Sequence, residues 1–483
     1  MRASADLCPI PIGCRQTQTN RRSSGELRYE LRHRPALLFP HPSANHAAPD
    51  VLPISAILAS ATGPDPSLWM LLPFALLLAS IACGPLLAPK FWKHHFRKVS
   101  LGLGAIAVAS YVFVLRAPMR MAHVGWEYVS FIVFIGALFV AAGGIHVAVK
   151  GEATPLRNCL YLATGAMIAN LLGTTGASML LIRPWIRMNR YRFTMFHGVF
   201  FIFIVSNVGG CLTPVGDPPL FLGYLNGVPF FWVTEKCWPA WLLAVAVLLA
   251  IFFVLDARNF LRAPKPVRDA ETAHERFRIN GLANFGWLAM ILGAVFIKEP
   301  AGVREALMVA AAAGSYFTTN RAIHEANHFS FAPIAEVAWL FLGIFATMVP
   351  ALDYLQHHAA QLGLSLPEHF YWSSGFLSAV LDNAPTYLAF LTAATAQHGV
   401  SLDDPAGVVE FLGTHGPHVV AISLGAVFFG AMTYIGNGPN FMVKAICDHA
   451  KVRTPGFFGY IARFSLPILL PVLALVAWFQ FRR

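Results

Sequence analysis

The sequence has little charge for its length. Only 12% of its 483 residues are Asp, Glu, Lys or Arg, whereas a soluble domain carries about 25%. Apolar runs of roughly 18–25 residues recur from Ser67 to the C-terminus, each long enough to cross about 30 Å of hydrocarbon. A β-barrel would instead show ~10-residue segments of alternating polarity. The sequence therefore predicts an all-α polytopic membrane protein that lies in a lipid bilayer.

Motifs for metal, redox and nucleotide chemistry are also missing. The seven cysteines form no CxxC pair and no Cys/His spacing typical of zinc, so neither a disulfide nor a zinc site is predicted. No GxxxxGK[ST] motif indicates ATP-driven transport, and no HExxH or GxGD-type pairing indicates an intramembrane protease. We expect no cofactor and no enzymatic activity.

The net charge of +11 does not indicate a nucleic-acid partner. The basic residues lie in short loops between apolar runs, which is the pattern of the positive-inside rule. Residues 1–64 differ from the rest and are assigned to an N-terminal extension. Its first 50 residues are rich in Arg, Pro and Ser and are either disordered or an over-long translated start, and residues 51–63 resemble a signal segment or a plain apolar tail.

The remaining chain contains the same order of segments twice. Each half has three spans, a pair of short segments, an interrupted span and a final span. The first half is assigned to residues 65–257, a cytoplasmic linker to 258–280 and the second half to 281–483. The predicted segments are 67–87, 99–115, 127–149, 158–182, 193–225 and 238–257, then 281–298, 302–319, 332–350, 368–397, 416–447 and 456–480.

If each pair of short segments is a re-entrant hairpin, each half crosses the membrane five times. An odd number of crossings makes the second half inverted relative to the first. With loop 88–98 in the cytoplasm, most Lys and Arg residues of the loops fall on that side. We therefore expect about ten transmembrane helices and two re-entrant hairpins in two inverted repeats, in a bacterial-type inner membrane.

Four polar interruptions lie at membrane depth, two in each half. They are Asn170–Pro184, Ser206–Tyr224, Ser378–Leu388 and Ala431–Phe441. Non-helical backbone at this depth is tolerated only where protein buries it or a wet cavity adjoins it, so broken helices at the midplane predict a binding site. The predicted backbone breaks are Gly173, Gly176, Gly209, Gly210, Gly216, Pro218, Pro219, Pro385, Gly436, Gly438 and Pro439.

The side chains in these interruptions suit a small cation. Neutral oxygens and carboxylates are the ligands of Na⁺, and a buried carboxylate also takes up a proton. The candidate ion- or substrate-binding residues are Thr174, Thr175, Ser178, Asn207, Thr213, Asp217, Asp382, Asn383, Thr386, Asn437 and Asn440, with Na⁺ at Asp217 and Asp382. Each glycine has an alternative role in close helix packing and each proline in a simple kink, whereas intramembrane acids are functional by default.

Two of these segments resemble motifs of a known group. "SNVGGCLTPVGDPP" resembles the GG-x-x-TP-x-GD segment of the NhaD-type sodium/proton antiporters, and "SAVLDNAPTYL" resembles the S-x-x-x-DN-x-P hairpin that they share with the ArsB arsenite permeases. The wider group is the ion transporter superfamily, which includes citrate transporters and INDY-type dicarboxylate transporters. The resemblance covers residues 65–480.

The resemblance implies a scaffold, a transport domain with two oppositely entering hairpins, and a homodimer working by an elevator-like movement. The Ser-Asn-Thr signature of INDY-type hairpin tips is absent here, since the tips read Gly173-Thr174-Thr175 and Asp382-Asn383-Ala384. Our first hypothesis is therefore exchange of Na⁺ or Li⁺ for H⁺, with Na⁺ and/or H⁺ as coupling ions. The alternative is transport of citrate or a dicarboxylate coupled to Na⁺ or H⁺.

Overall fold

A computed structural model describes residues 64–148, 153–262, 278–297 and 299–482. The predicted N-terminal extension up to residue 63, and residues 263–277 of the predicted linker, lie outside the described residues. Almost all regular structure in these ranges is helical. The exceptions are two three-residue strands, β1 (His146–Ala148) and β2 (Arg278–Asn280), which pair antiparallel with Val147 opposite Ile279.

The described residues of the first half form seven α-helices. They are α1 (Leu72–Leu87), α2 (Pro89–Ala109), α3 (Pro118–Gly143), α4 (Pro155–Met188), α5 (Met195–Ile204), α6 (Pro218–Leu225) and α7 (Trp232–Arg262). A 3-10 turn at Leu68–Leu71 precedes α1, a π-helical turn at Ser110–Val114 follows α2, and a 3-10 turn at Val208–Leu212 lies between α5 and α6.

The second half, within the residues that the structure describes, forms ten α-helices. They are α8 (Ala283–Ala294), α9 (Val303–Thr318), α10 (Arg321–Ala326), α11 (Ala332–His358), α12 (Pro367–Val380), α13 (Asn383–Ala396), α14 (Pro405–Phe429), α15 (Gly438–His449), α16 (Phe457–Tyr460) and α17 (Leu470–Phe481). 3-10 turns at Ala359–Leu362 and Gly430–Met432 follow α11 and α14, and a π-helical segment at Ile461–Leu469 joins α16 to α17.

Proline marks where many of these helices begin. Six of them have Pro as their first residue: α2, α3, α4, α6, α12 and α14. Proline suits the first turn because its fixed φ is already helical and its missing N–H would have no partner there. The many prolines of this apolar chain therefore define helix boundaries.

Nine helical segments of the described residues are long and apolar enough to cross a membrane. The predicted number is about ten, and the difference comes from two helices and a hairpin. Helices α8 and α9 have 12 and 16 residues, fewer than the 18 residues of the shortest candidate segments, so neither is among the nine. Helix α4, which was predicted as a pair of short segments, is among the nine as one long segment.

Helix α4 is a hairpin. Gly173 has φ 73° and ψ 154° and breaks the helix between Pro155 and Met188. In a straight helix Asn158 and Asn189 would lie about 46 Å apart at ~1.5 Å per residue. Instead the Asn158 side-chain amide donates to Asn189 Oδ1 at 2.8 Å, and Tyr161 Oη donates to the Leu181 carbonyl at 2.8 Å. We call α4 hairpin 1 and Gly173–Thr175 its tip.

Helices α12 and α13 form hairpin 2. They are joined by Leu381 and Asp382, and the ring centroids of Phe370 and Phe390, twenty residues apart, lie 6.4 Å from each other. The Asp382 carboxylate caps the second arm by accepting from the Ala384 N–H at 3.0 Å. We call Asp382–Ala384 the tip of hairpin 2.

The helices pack as two groups. In the wall group α11 packs on α2 and α3, and α9 packs on α3 and α8. In the hairpin group hairpin 1 packs on α7, and both arms of hairpin 2 pack on α14. The groups meet where α3 contacts hairpin 1 and α11 contacts hairpin 2. Aromatic rings lie at this boundary, where the Phe221 ring of α6 has its centroid 4.0 Å from that of Phe134 and 6.4 Å from that of Phe131, both on α3.

Candidate functional site

Two loops with the same internal hydrogen bonds interrupt the hairpin group. In residues 205–217, loop 1, Thr213 Oγ1 accepts from the Gly216 N–H at 3.1 Å. In residues 430–437, loop 2, Thr433 Oγ1 accepts from the Gly436 N–H at 3.1 Å. Each threonine also donates to a hairpin carbonyl, Thr213 to Asn170 at 2.6 Å and Thr433 to Ala379 at 2.7 Å. Each loop is thus tied to the arm that precedes a tip.

Both loops close on themselves at a pair of glycines. A Cβ on Gly216 would lie 2.1 Å from the Gly210 carbonyl oxygen, and a Cβ on Gly436 would lie 2.7 Å from that of Gly430. A side chain at either position would clash with backbone. The two loops therefore correspond residue by residue, with the same internal contacts at a constant spacing in the chain. In this correspondence Asp217 matches Asn437, and each of them directly precedes a helix.

Asp217 accepts hydrogen bonds from both hairpin tips. Its carboxylate is 1% exposed. Oδ1 accepts from Thr174 Oγ1 at 2.8 Å and from the Asn437 amide at 3.0 Å, while Oδ2 accepts from the Asn383 amide at 2.7 Å. The carboxylate thereby joins the tip of hairpin 1, the tip of hairpin 2 and loop 2.

Asparagine side chains continue this network behind Asp217. The Asn437 amide also donates to Asn207 Oδ1 at 3.2 Å, and the Asn207 amide donates to Asn440 Oδ1 at 2.7 Å. The Asn440 amide donates to the carbonyls of Gly430 and Thr433 at 2.8 and 2.9 Å. These donors and acceptors pair among themselves, so the network holds loops 1 and 2 together inside the protein.

Asp382 has a different environment. It is half-buried, and of its two oxygens Oδ1 accepts from the Ala384 N–H. It lines a cavity of about 40 Å³ between the hairpin tips and the wall group. The other polar lining residues are Thr175, Asn383 and Asn437, and Gly438 adds backbone. Unlike the carboxylate of Asp217, the carboxylate of Asp382 belongs to a residue that lines a cavity.

The wall side of this cavity is apolar. Ile135 and Phe139 of α3, and Ile334, Val337 and Phe341 of α11, face the tips across it. A second cavity of about 20 Å³ lies beside the tip of hairpin 1 against the same helix α3. The polar groups of the site therefore all come from the hairpin group, and the wall supplies shape without charge.

Helix ends converge on the larger cavity. Asn383 and Gly438 are the first residues of α13 and α15, and both line it. Free N–H groups and the helix dipole make such ends attractive to anions. The site thus combines one carboxylate, which attracts a cation, with two helix N-termini, which attract an anion.

The other predicted residues lie around this centre and bond mainly to protein. Ser178 Oγ and Ser206 Oγ are 2.7 Å apart, and Thr386 Oγ1 donates to the Asp382 carbonyl at 2.9 Å. Thr175 lines both cavities. The structure brings the four predicted interruptions together in one place, with the tips in front and Ser178, Thr213 and Thr386 to the sides.

The predicted breaks have several structural reasons. Gly209 is needed for close packing, since a Cβ there would lie 2.5 Å from the Ile204 carbonyl oxygen, and Gly176 packs on Ala142. Pro218 and Pro219 begin α6, while Pro385 and Pro439 lie in the first turns of α13 and α15. These prolines start helices, so the alternative of simple kinks is wrong for them.

Three buried acids outside the interruptions, Asp256, Glu305 and Asp353, were missed from the sequence. Asp256 on α7 is 0% exposed, bonds Arg192, and accepts from His197 Nε2 at 3.1 Å and from the Asn158 amide at 2.8 Å. Asp353 on α11 is 4% exposed and pairs with Arg120 at 2.9 Å. Their signal was present, because Asp256 ends an apolar run that should exclude a carboxylate.

Comparison with known proteins agrees with a membrane transporter. The chain is 24% identical over 359 residues to the "46 kDa membrane protein" of Mycobacterium leprae (strain TN), covering 70% of this chain and 80% of that one. Residues 64–481 match the model of a family described as "Putative citrate transport". This match agrees with the resemblance to the ion transporter superfamily. Since it spans nearly all of the described residues, the chain belongs to this citrate-transport family.

Proposed function

We propose that the protein is a secondary transporter that carries citrate or a related small carboxylate across the membrane together with a cation, Na⁺ or H⁺. The observation that carries the proposal is the cavity between the hairpin tips and the wall, where Asp382 lies beside two helix N-termini. The family match supports a carboxylate substrate.

Asp382 is the proposed cation ligand. Its carboxylate adjoins the cavity, whereas both oxygens of Asp217 already accept from neutral donors. A cation at Asp382 would lower the repulsion between this carboxylate and an incoming carboxylate. Binding of one then favours binding of the other, which is the thermodynamic requirement for coupling.

Asp217 is the proposed positioning residue. Hydrogen bonds from Thr174 and Asn383 hold both tips in register with loop 2, so the site keeps its geometry when the hairpin group moves. Charge-assisted hydrogen bonds of this kind are about twice as strong as neutral ones. This role differs from the ion-carrying role that the sequence suggested for Asp217.

Transport requires the two groups to separate. Ligand pockets are commonly about 300–1,000 Å³, whereas this cavity is about 40 Å³. The described state is therefore closed around the site. The arms of hairpin 2 have 14 residues each, about 21 Å at ~1.5 Å per residue and too short for ~30 Å of hydrocarbon. This length supports re-entrant hairpins. The proposal further includes the inverted repeats, the movement of the hairpin group relative to the wall and the homodimer in an inner membrane that the resemblance implies.

Exchange of Na⁺ or Li⁺ for H⁺ without a carboxylate is the second candidate. Its supporting observation is that no Lys, Arg or His lines either of the two cavities among the described residues. A binding site for a trivalent anion such as citrate usually contains such basic side chains. In the first proposal the helix N-termini and the bound cation take their place.

Uptake into proteoliposomes distinguishes the two. With purified protein, we expect radiolabelled citrate to accumulate when an inward Na⁺ or H⁺ gradient is imposed, and to stop accumulating when the gradient is removed. Asp382→Asn should lose this accumulation. Glu410→Gln, which removes an exposed acid of α14 away from the cavity, should keep it. Na⁺-dependent proton release without citrate uptake would instead support exchange.

A further inference from the structure

The bases of the two hairpins are held in different ways. At hairpin 1, Asn158 and Asn189 lie at opposite ends of the hairpin and bond each other. Asn158 also bonds Asp256, which is buried with Arg192 and His197. These contacts lie within the hairpin group or at its edge, so the base of hairpin 1 is clamped to its own neighbour α7.

The base of hairpin 2 is bonded to the wall group instead. Residues 397–404, which we call the exit loop, join α13 to α14. Gln397 donates to the Ala359 carbonyl at 3.1 Å, and Gln356 donates to the Val400 carbonyl at 3.3 Å. Arg120 Nη1 donates to Asp403 Oδ1 at 3.0 Å and to Oδ2 at 3.3 Å. These four hydrogen bonds form three contacts, and all three connect the exit loop to the wall group.

Arg120 is fixed on the wall side of this contact. Its Nε and Nη2 donate to Asp353 Oδ1 at 3.1 and 2.9 Å, and Tyr111 Oη donates to Asp353 Oδ2 at 2.7 Å. Asp353 is 4% exposed, whereas Asp403 is 59% exposed. The buried pair holds the guanidinium in place, and the exposed pair can break at little cost.

We propose that Arg120 and Asp403 form a latch that holds the hairpin group in the closed state, with Asp353 as the positioning residue of the latch. The inference rests on the proposed function, because it requires the two groups to separate. Asp403 leaves Arg120 when the hairpin group moves, while Asp353 and Tyr111 keep Arg120 ready for its return. The other charged groups close to this pair are Glu127 and its partner His123, both on α3 like Arg120.

The strength of the ion pair between Arg120 and Asp403 suits a contact that must form and break repeatedly. An exposed ion pair changes a two-state ratio by about 1.4- to 5-fold. A stronger ion pair would hold the protein in the closed state. Without any ion pair, the closed state would not be favoured. Since Asp403 is exposed, the pair is also screened by salt, with a Debye length of about 3 Å at 1 M.

Thiol labelling reports the separation without requiring transport. Ile135 lines the cavity on the wall side, so Ile135→Cys becomes accessible to a hydrophilic maleimide when the groups part. The parent variant for this experiment carries Cys83→Ala, because Cys83 is exposed. The labelling that remains in this variant without Ile135→Cys is subtracted. In this background Asp403→Asn should raise the labelling rate about 1.4- to 5-fold, and Glu410→Gln should leave it unchanged. Salt at 1 M should raise the rate of the parent but not that of Asp403→Asn.

The outcomes separate the latch from the proposed function. Equal labelling rates for Asp403→Asn and Glu410→Gln would overturn the latch, as would an absence of labelling at Ile135→Cys in every variant. If the rates differ as expected but no citrate or cation is transported, the latch stands and the proposed function fails. Asp353→Asn should raise the labelling rate by no more than Asp403→Asn does, because loss of the positioning residue can at most abolish the contact between Arg120 and Asp403.

Discussion

The two hairpins of this protein share a plan and differ in where they place charge. At the tips, Gly173 of hairpin 1 corresponds in position to Asp382 of hairpin 2, three residues beyond Asn170 and Ala379, the carbonyls that bond Thr213 and Thr433. At the loops the acid is on the other side, since Asp217 of loop 1 corresponds to Asn437 of loop 2. Each half therefore contributes one acid, at a different depth of the site.

This difference separates two tasks. Both oxygens of Asp217 accept hydrogen bonds from protein groups, so we assign its charge to positioning the hairpin tips. Asp382 lies at a cavity, so its charge is available to a ligand. Two acids at equivalent positions of the two halves would suit neither positioning the tips nor binding a ligand, because two free carboxylates in one small site repel each other. The predictions below alter one side of the comparison at a time.

The largest effect on stability is expected at the base of hairpin 1. Asp256→Asn leaves the Arg192 guanidinium, whose side chain is 2% exposed, without its anion. Breaking a buried pair from one side costs about 3–5 kcal/mol. We expect a large fall in the melting temperature of the purified protein in detergent, against no change for Glu410→Gln. A melting temperature equal to that of the control would mean that the clamp contributes nothing.

Exchanging the acid between loops 1 and 2 should have an intermediate effect. Asp217→Asn replaces an acceptor of three hydrogen bonds and should cost about 1–3 kcal/mol, the range for an unsatisfied buried polar group. Adding Asn437→Asp restores a carboxylate at the corresponding position of loop 2, where the Asn437 side-chain amide lies 3.0 Å from Asp217 Oδ1. The double variant should recover part of the loss in thermal stability. Strict additivity of the two single changes would contradict the positioning role.

A smaller effect is expected at the tip of hairpin 1. Gly173 has φ 73° with ψ 154°, a region that essentially only glycine adopts, and any other residue held in this conformation costs about 1–3 kcal/mol. Gly173→Ala should lower the melting temperature and slow citrate uptake. The matched control is Gly413→Ala, since that helical glycine has an open surrounding. Equal stability of both variants would show that the turn does not depend on this conformation.

The smallest effect concerns the exit loop and pH. Partial burial, together with His415 and His418, holds the pKa of His398 below its usual value. The folded protein therefore binds this proton less readily than the unfolded chain, and stability is lost as pH falls below about 6.5, the ordinary histidine value. His398→Gln should reduce the loss of thermal stability between pH 7 and pH 5. An unchanged pH dependence would exclude His398 as its source.

Much of this arrangement follows from the sequence. Apolar runs define a helical membrane protein, and Gly and Pro within them locate the interruptions, because such residues disrupt helices wherever they occur. Segments that start at Asn170, Ser206, Ser378 and Ala431 do meet in one place. That the halves are inverted, and that the hairpins are re-entrant, stays a prediction, since it depends on the position of the bilayer.

The difference between Asp217 and Asp382 does not follow from the sequence. Both are intramembrane acids beside glycine, proline or asparagine, and local sequence assigned them the same role. The roles that we propose for them differ because of distant partners, since Asn383 and Asn437 lie far from Asp217 in the chain. The apolar wall was likewise hidden, because Ile135 and Phe341 look like any residues of a span until the hairpin tips face them.

The most direct test of the central claim is cation-dependent citrate binding to the purified protein, measured by calorimetry for wild type, Asp382→Asn and Asp217→Asn. The account predicts that Na⁺ or low pH strengthens citrate binding by wild type, and that Asp382→Asn abolishes this dependence. Asp217→Asn should weaken binding yet keep it. If Asp382→Asn retains the full dependence while Asp217→Asn loses it, the roles assigned to the two acids are contradicted.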